Sequence, residues 1–202
     1  MLKTLYSLCG ITLEQKIALQ GYISTLKRHQ QKLNLVGAST LKHIWVRHVI
    51  DSMQVYKYLP KEKKNKLLLD VGTGAGFPGI VLAIMGRKDV LLCDKSPKKT
   101  MFLKTVINEL SIEGKVINLK IENIFKKNIS IIVSRAFASL KKIISSVQHL
   151  LASETTLVIH KGKKYKREIV EAKKYFSFTV KIYNSITSNE GVILRITNIE
   201  KK

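Results

Sequence analysis

Leu67-Leu68-Leu69-Asp70-Val71-Gly72-Thr73-Gly74-Ala75-Gly76-Phe77-Pro78-Gly79 decides the reading of this chain. A short, continuous apolar run is what a parallel strand buried on both faces looks like. Four glycines follow its acidic end, and an apolar stretch, Ile80-Val81-Leu82-Ala83, follows them. Glycines let the backbone turn tightly and approach a ligand closely. A strand, a glycine loop and a helix in that order put the loop at the carboxyl edge of a sheet, where open α/β folds bind ligands. An ordinary strand-to-helix turn is the plainer alternative, but it does not call for four glycines behind an acidic strand end.

The same grammar continues downstream. Strands are expected at Val90 to Asp94, Lys115 to Leu119, Ile129 to Ser134 and Thr155 to His160. Helices between them are expected from the glycine loop to about Gly86, from Ser96 to about Leu110, and from Ser139 to Leu151. Ser96-Pro97 supplies an N-cap followed by proline at the first helical position. Another helix is expected over Lys163 to Tyr175. Ser177 to Tyr183 and Gly191 to Ile199 then follow with no helix between them, as a terminal antiparallel hairpin would. Repeated β-α units predict a doubly wound α/β fold, here a seven-stranded mixed sheet.

Upstream, the chain reads as a helical extension, residues 1–60, packed on a core domain, residues 61–202, in one compact unit. Thr12-Leu13-Glu14-Gln15 fits a capping box. Ile17, Ala18, Gly21, Tyr22, Thr25, Leu26, His29 and Leu33 then recur at helical spacing. A second helix is expected after Ser39 or Thr40, with Leu41, Ile44, Trp45, His48, Ser52, Met53 and Tyr56 along one side. Trp45 and Tyr56 at that spacing read as core. His48 and Asp51 lie one turn apart and share a face, as a site element or as an interhelical polar pair.

Lys plus Arg is 36 and Asp plus Glu is 14, a formal charge of +22 over 202 residues. Such an imbalance points to a polyanion, most simply nucleic acid. Only six of the basic residues are Arg, however, and the Lys, Ile and Asn richness is also what an A/T-rich genome encodes. With 45% hydrophobic residues the chain can bury a core. No apolar run approaches a bilayer span, and the opening Met1 to Leu8 is a poor signal peptide. Cys9 and Cys93 make no disulfide framework and no metal cluster. The expectation is a reduced, cytoplasmic monomer without a metal or a membrane partner.

Two cofactors suit the glycine loop. Gly74 to Gly79 matches Gly-x-Gly-x-x-Gly, and Asp94 lies twenty residues after Gly74, as in the dinucleotide fingerprint. Against NAD, Asp70 would face a pyrophosphate, and Pro78 removes a backbone donor from the helix start. S-adenosylmethionine carries an ammonium and a sulfonium and no phosphate, so an acidic strand end suits it. Asp94 is placed to accept from ribose hydroxyls, or is simply a loop-capping aspartate.

The glycine loop, Arg47-His48 with Asp51-Ser52, and Ser134-Arg135-Ala136-Phe137-Ala138-Ser139-Leu140 together resemble the bacterial ribosomal RNA small subunit methyltransferase G family, also called the glucose-inhibited division protein B family. The resemblance spans nearly the whole chain, including Lys161-Gly162. It implies a class I, Rossmann-like S-adenosylmethionine-dependent fold and methyl transfer to N7 of the guanine at position 527 of 16S rRNA, either free or in a 30S assembly particle. It also implies cofactor contacts at Gly72, Phe77, Ile121, Glu122 and Arg135, beside Asp70, Gly74 and Asp94 of the loop reading. Ser130 stands where the family usually carries Asp. N7 has a lone pair and no proton, so no dedicated acid or base is expected, only proximity and alignment.

Lys161-Gly162-Lys163-Lys164-Tyr165-Lys166-Arg167 is the expected RNA contact, through Lys161, Lys163, Lys164 and Arg167, since Lys supplies point charge to phosphates. Its alternative is a solvated helix start. Lys126-Lys127 and Lys141-Lys142 read as solvated charge. Two other functions compete: a nucleotide-dependent Rossmann oxidoreductase, and a basic RNA-binding ribosome-assembly factor with a vestigial pocket.

Overall fold

The computed structural model describes residues 10–125 and 128–202. Cys9, the opening segment and Lys126-Lys127 lie outside the described residues. The first helix, α1 (Leu13–Leu33), starts as its sequence requires: the Thr12 hydroxyl accepts from Gln15 N–H (3.2 Å) and Gln15 Oε1 accepts from Thr12 N–H (3.0 Å). Asn34 closes it in the left-handed conformation, φ 45°.

The expected second helix is broken. A turn at Ala38–Leu41 is followed by a π-helical stretch, Trp45–Ile50, one α-turn at Asp51–Met53 and a 3-10 stretch, Gln54–Tyr58. Wide turns of this kind are rare and cluster at functional sites, and this one carries Arg47 and His48. Trp45 packs half-buried against the core, whereas Tyr56 is 39% exposed, contrary to the core reading.

The sheet follows. Its strands are β1 (Leu67–Val71), β2 (Val90–Cys93), β3 (Lys115–Ile117), β4 (Ile129–Ser134), β5 (Thr156–Lys161), β6 (Phe176–Asn184) and β7 (Val192–Lys201). They lie in the order β3-β2-β1-β4-β5-β7-β6, parallel except for β7, which pairs antiparallel with β5 and β6. This is the expected seven-stranded mixed sheet with its terminal hairpin. The helices are α2 (Gly79–Ile84), α3 (Pro97–Leu110), α4 (Leu140–Val147) and α5 (Tyr165–Lys173). α3 opens on Ser96, as its sequence indicates.

Alternate residues of the buried strands feed two cores, one on each face. Leu68 and Leu92 join the core of α1, α2 and α3, while Leu69, Leu91 and Ile132 join that of α4 and α5. Gly21 lets α1 lie close on α3, because a Cβ there would meet Leu110 Cδ2 at 2.8 Å. No helix among the described residues is long and apolar enough to cross a membrane.

One buried charge ties the helical extension to the sheet. Arg87, 4% exposed, meets Asp89 twice, through Nε (2.9 Å) and Nη2 (2.6 Å), and donates to the Pro60 carbonyl (2.7 Å). Removing one partner of such a pair leaves the other buried and uncompensated. Arg87→Met is expected to lower unfolding free energy by about 3 kcal/mol in urea titration, a surface lysine change by much less.

Candidate functional site

The glycine loop is built around Asp70, which is fully buried at the end of β1. Its Oδ2 accepts from the Thr73 hydroxyl (2.6 Å) and from Gly79 N–H (2.8 Å), so one oxygen holds both ends of the loop. Its Oδ1 has no partner. Burial pushes the Asp70 carboxyl up to about 6, against the lowering by the Thr73 and Gly79 hydrogen bonds and by Arg135. The Tyr22 hydroxyl of α1 donates to the Ala75 carbonyl (2.6 Å) and pins the loop from outside the sheet.

Gly72 takes φ +64°, and a Cβ there would lie 2.4 Å from the Phe137 ring. Only glycine permits that approach. Gly74 (φ +60°) donates its N–H to Asp94 Oδ2 (2.9 Å), and Asp94 Oδ1 accepts from Ser96 N–H (2.9 Å). Asp94 is thus a loop cap, yet each carboxylate oxygen keeps a further acceptor site.

These residues open onto a cavity of about 620 Å³. Gly72, Asp94, Ile121, Glu122 and Phe137 line it. Lys95, Lys99, Lys120 and Lys142 share its lining. Cys93 lines it too, but burial pushes that thiol up to about 12, so it stays protonated at neutral pH. The donor set suits a ligand with hydroxyls, an amino group and a cationic centre: two carboxylates, an unpartnered acidic oxygen behind the loop, and glycines where side chains would intrude. S-adenosylmethionine has that chemistry, and the residues fit it.

A second cavity, of about 480 Å³, lies across the segment that follows β4. Arg47, His48, Asp51, Arg135, His160 and Lys161 are among its walls. Ala136, Phe137 and Ala138 line both cavities.

Arg135 is held on every side. It donates to the Arg47 carbonyl (2.8 Å), to His48 Nδ1 (2.6 Å) and to Asp51 Oδ2 (3.4 Å), and its guanidinium stands 5.0 Å over the Phe77 ring. Burial, then the Arg135 charge, lowers the His48 pKa to about 4. Because Nδ1 accepts, the neutral ring carries its proton on Nε2. That nitrogen donates to Thr40 Oγ1 (2.8 Å), whose hydroxyl donates to the Gly37 carbonyl (2.8 Å). Asp51 Oδ1 accepts from Thr187 (2.6 Å) and Gln54 (2.8 Å), bringing in the β6–β7 loop. Burial also lowers the His160 pKa, and its Nε2 donates to the Asp51 carbonyl (2.7 Å).

The structure therefore sorts the expected residues. Gly72, Asp94, Ile121 and Glu122 meet at one cavity, with Gly74 and Asp70 shaping its loop. The Phe77 ring is buried against Tyr22 and His48 (centroids 5.2 and 5.0 Å) and is not part of that lining. Arg135 lines the second cavity rather than the first, because its partners lie on the helical extension. Lys161 is corrected too: its side chain is 6% exposed and paired with Glu168 (2.8 Å), so it is no free surface cation. Lys163 pairs with Glu190 (2.8 Å), while Lys164 and Arg167 are exposed. Lys141 stands 3.5 Å over the Tyr175 ring, and Ser130 is buried in β4. Glu168 and Thr187 were missed, and no local signal marks them. No cluster suited to a metal ion occurs among the described residues.

The family model described as rRNA small subunit methyltransferase G matches residues 15–196. The chain belongs to that family. Curated relatives named Ribosomal RNA small subunit methyltransferase G include one from Rickettsia felis, 38% identical over 176 residues (87% of this chain, 90% of the relative), and one from Rickettsia prowazekii, 37% identical over 183 residues (91% and 94%). Among solved structures, magnesium protoporphyrin IX methyltransferase from Synechocystis, with bound S-adenosylmethionine, is 17% identical with a TM-score of 0.60, covering 93% of this chain and 98% of that one. The ribosomal protein L11 methylase of Lactobacillus delbrueckii is 18% identical with a TM-score of 0.60 (75% and 78%). The fold is thus Rossmann-like, as in these methyltransferases. Family membership makes the protein a methyltransferase that uses S-adenosylmethionine.

The raised Asp70 pKa has a pH signature. The folded value lies above the ordinary 3.8, so the folded state holds the proton more tightly than the unfolded chain. Stability from this group is complete below about pH 4 and is lost as pH rises through about 6. Asp70→Asn is expected to remove that decline: the difference in unfolding free energy between wild type and variant, measured across pH, should change between about pH 4 and 6 and be flat above. A constant difference would contradict the assignment. Gly72→Ala, which drives a Cβ into Phe137, is expected to weaken S-adenosylhomocysteine binding at least about tenfold by calorimetry.

Proposed function

We propose that this enzyme transfers the methyl group of S-adenosylmethionine to N7 of the guanine at position 527 of 16S rRNA, presented as free rRNA or in a 30S assembly particle. It acts as a cytoplasmic monomer in which residues 1–60 and 61–202 form one unit. The observation that carries this reading is the shared wall: Ala136, Phe137 and Ala138 face a cofactor-suited cavity on one side and the cavity walled by His48, Asp51 and His160 on the other. A methyl donor and its acceptor must meet, and the segment after β4 is where both cavities meet.

Bound S-adenosylmethionine supplies a methyl group on a cationic sulfonium. Asp94 and Glu122 would hold its hydroxyl and amino groups, with Gly72 leaving room and Ile121 giving an apolar wall. Gly74 N–H and Ser96 N–H keep the Asp94 carboxylate oriented before anything binds. An extruded base would enter the second cavity, as enzymes acting on bases take their target out of the stack. Guanine N7 brings its own lone pair, so the chain need only align it. Arg135 is fixed by three elements and cannot swing into the path. Lys164, Arg167 and the lysines around the cofactor cavity offer charge to the phosphates.

Mass spectrometry of 16S rRNA fragments tests the reading. Deletion of the gene is expected to remove N7-methylguanine from the fragment holding position 527. The wild-type chain should restore it, and Gly72→Asp should not. Methylation persisting in the deletion strain, or restored by Gly72→Asp, would refute the assignment.

A further inference from the structure

The wall between the two cavities is held under constraint at both ends. Ala136 lies at φ +51°, a left-handed conformation uncommon for a residue with a Cβ. Such a conformation persists where its surroundings over-determine it. Upstream, Arg135 is locked to the helical extension. Downstream, Ser139 caps α4 without any side-chain hydrogen bond. The cap comes instead from a residue 28 positions away: Glu168 Oε2, on α5, accepts from Leu140 N–H at 2.7 Å. A carboxylate at that end also suits the helix dipole. The same oxygen takes Lys161 Nζ at 2.8 Å, and Lys161 Nζ in turn donates to the Ala138 carbonyl. One buried lysine and one partly buried glutamate thus grip both sides of Ser139.

We infer that the Lys161–Glu168 pair is a positioning clamp for the reaction. It sets the shared wall, and so the alignment of methyl donor and acceptor, instead of contacting RNA phosphate. Lys161 and Glu168 line only the second cavity, yet what they hold, Ala138, lines both. Phe137, between the clamp and Arg135, lies against Gly72 of the cofactor loop. Movement at Ala138 therefore reaches the cofactor cavity through Phe137. Alignment is the step most sensitive to small displacement, since a misplacement of about 1 Å is enough to lose about a hundredfold in rate. The catalytic part of the inference rests on the methyl-transfer reading above; its cofactor-side part does not.

Lys161→Met, Glu168→Gln and their double variant test it, with Lys161→Arg as the conservative control, all assayed well below their melting temperatures. Each single variant is expected to lower kcat on 16S rRNA substrate about tenfold or more, with a smaller change in KM for RNA. The double variant should be no worse than the more damaged single, because the two residues act as one unit. S-adenosylhomocysteine affinity should fall severalfold by calorimetry, and Lys161→Arg should recover part of both losses. The slope of log RNA affinity against log salt should not change. A slope reduced by about one in Lys161→Met with kcat intact would make Lys161 a phosphate contact and overturn the clamp. Multiplicative losses in the double variant, or unchanged kcat and cofactor affinity, would overturn it as well. If the wild-type chain methylates no 16S rRNA, the substrate reading fails by itself, and the calorimetry still decides whether the clamp shapes the cofactor cavity.

Discussion

The buried carboxylate of Asp70 is the constraint on which the rest of the site is arranged. A single oxygen accepts from Thr73 and Gly79 and so fixes where the loop leaves β1 and where α2 begins. A Cβ at Gly79 would meet that same oxygen at 2.7 Å and Leu92 at 2.2 Å, so the loop must be glycine where it returns to the strand end. With both ends fixed, Gly74 N–H meets Asp94, and Gly72 presents a bare backbone to Phe137. The acidic residue read from the sequence as facing a cationic ligand is therefore first a tether. Keeping it fully buried raises its pKa, and its ionisation works against the fold that it organises.

The second organising element is the stretch after β4. Sheet order places β4 beside β1, so the glycine loop and the Arg135 segment emerge side by side at the carboxyl edge. Hydrogen bonds to Arg135 come from the π-helical stretch, and those to Ala138 and Leu140 come from the end of β5 and from α5. The wall is thus suspended between the helical extension and the opposite side of the sheet. Thr187, from the β6–β7 loop, closes the circle through Asp51. Elements that look peripheral in the chain, the broken N-terminal helix and the terminal hairpin, are what hold Arg135.

How much of this was legible depended on the range of the interaction. Capping at Thr12 and Ser96, the apolar runs of β1 and β4, and the Gly74-to-Asp94 spacing are local or nearly so, and the structure keeps them. The breaks were longer in range. The family resemblance implies a cofactor contact at Arg135, but its partners are 84 and 87 residues away. Lys161 belongs by sequence to a run of five basic residues in seven. It is the last residue of β5, however, and its side chain enters the interior while Lys164 and Arg167 face solvent. A charge run read along the chain averages over such directions. The π-helical turn has no signal in the sequence, since Trp45 to Ile50 has ordinary helical spacing.

The protonation states fit a reaction in which the nucleophile brings its own lone pair. His48 is neutral, with one nitrogen accepting from Arg135 and the other donating to Thr40. His160 is buried, its pKa is lowered, and it donates to the Asp51 carbonyl. Cys93 is held as a thiol. Asp51 and Glu168, the carboxylates of the second cavity, are each occupied by two or more donors. These groups are spent on geometry, and of the three basic residues Arg47, Arg135 and Lys161 on the walls of the second cavity, Arg135 and Lys161 are held in ion pairs. Unpaired cations there would oppose the product of the proposed reaction, a base made cationic by methylation at N7. The ion pairs to Asp51 and Glu168 therefore serve two ends at once: they hold the wall in place, and they offset two of the cationic side chains that line the second cavity.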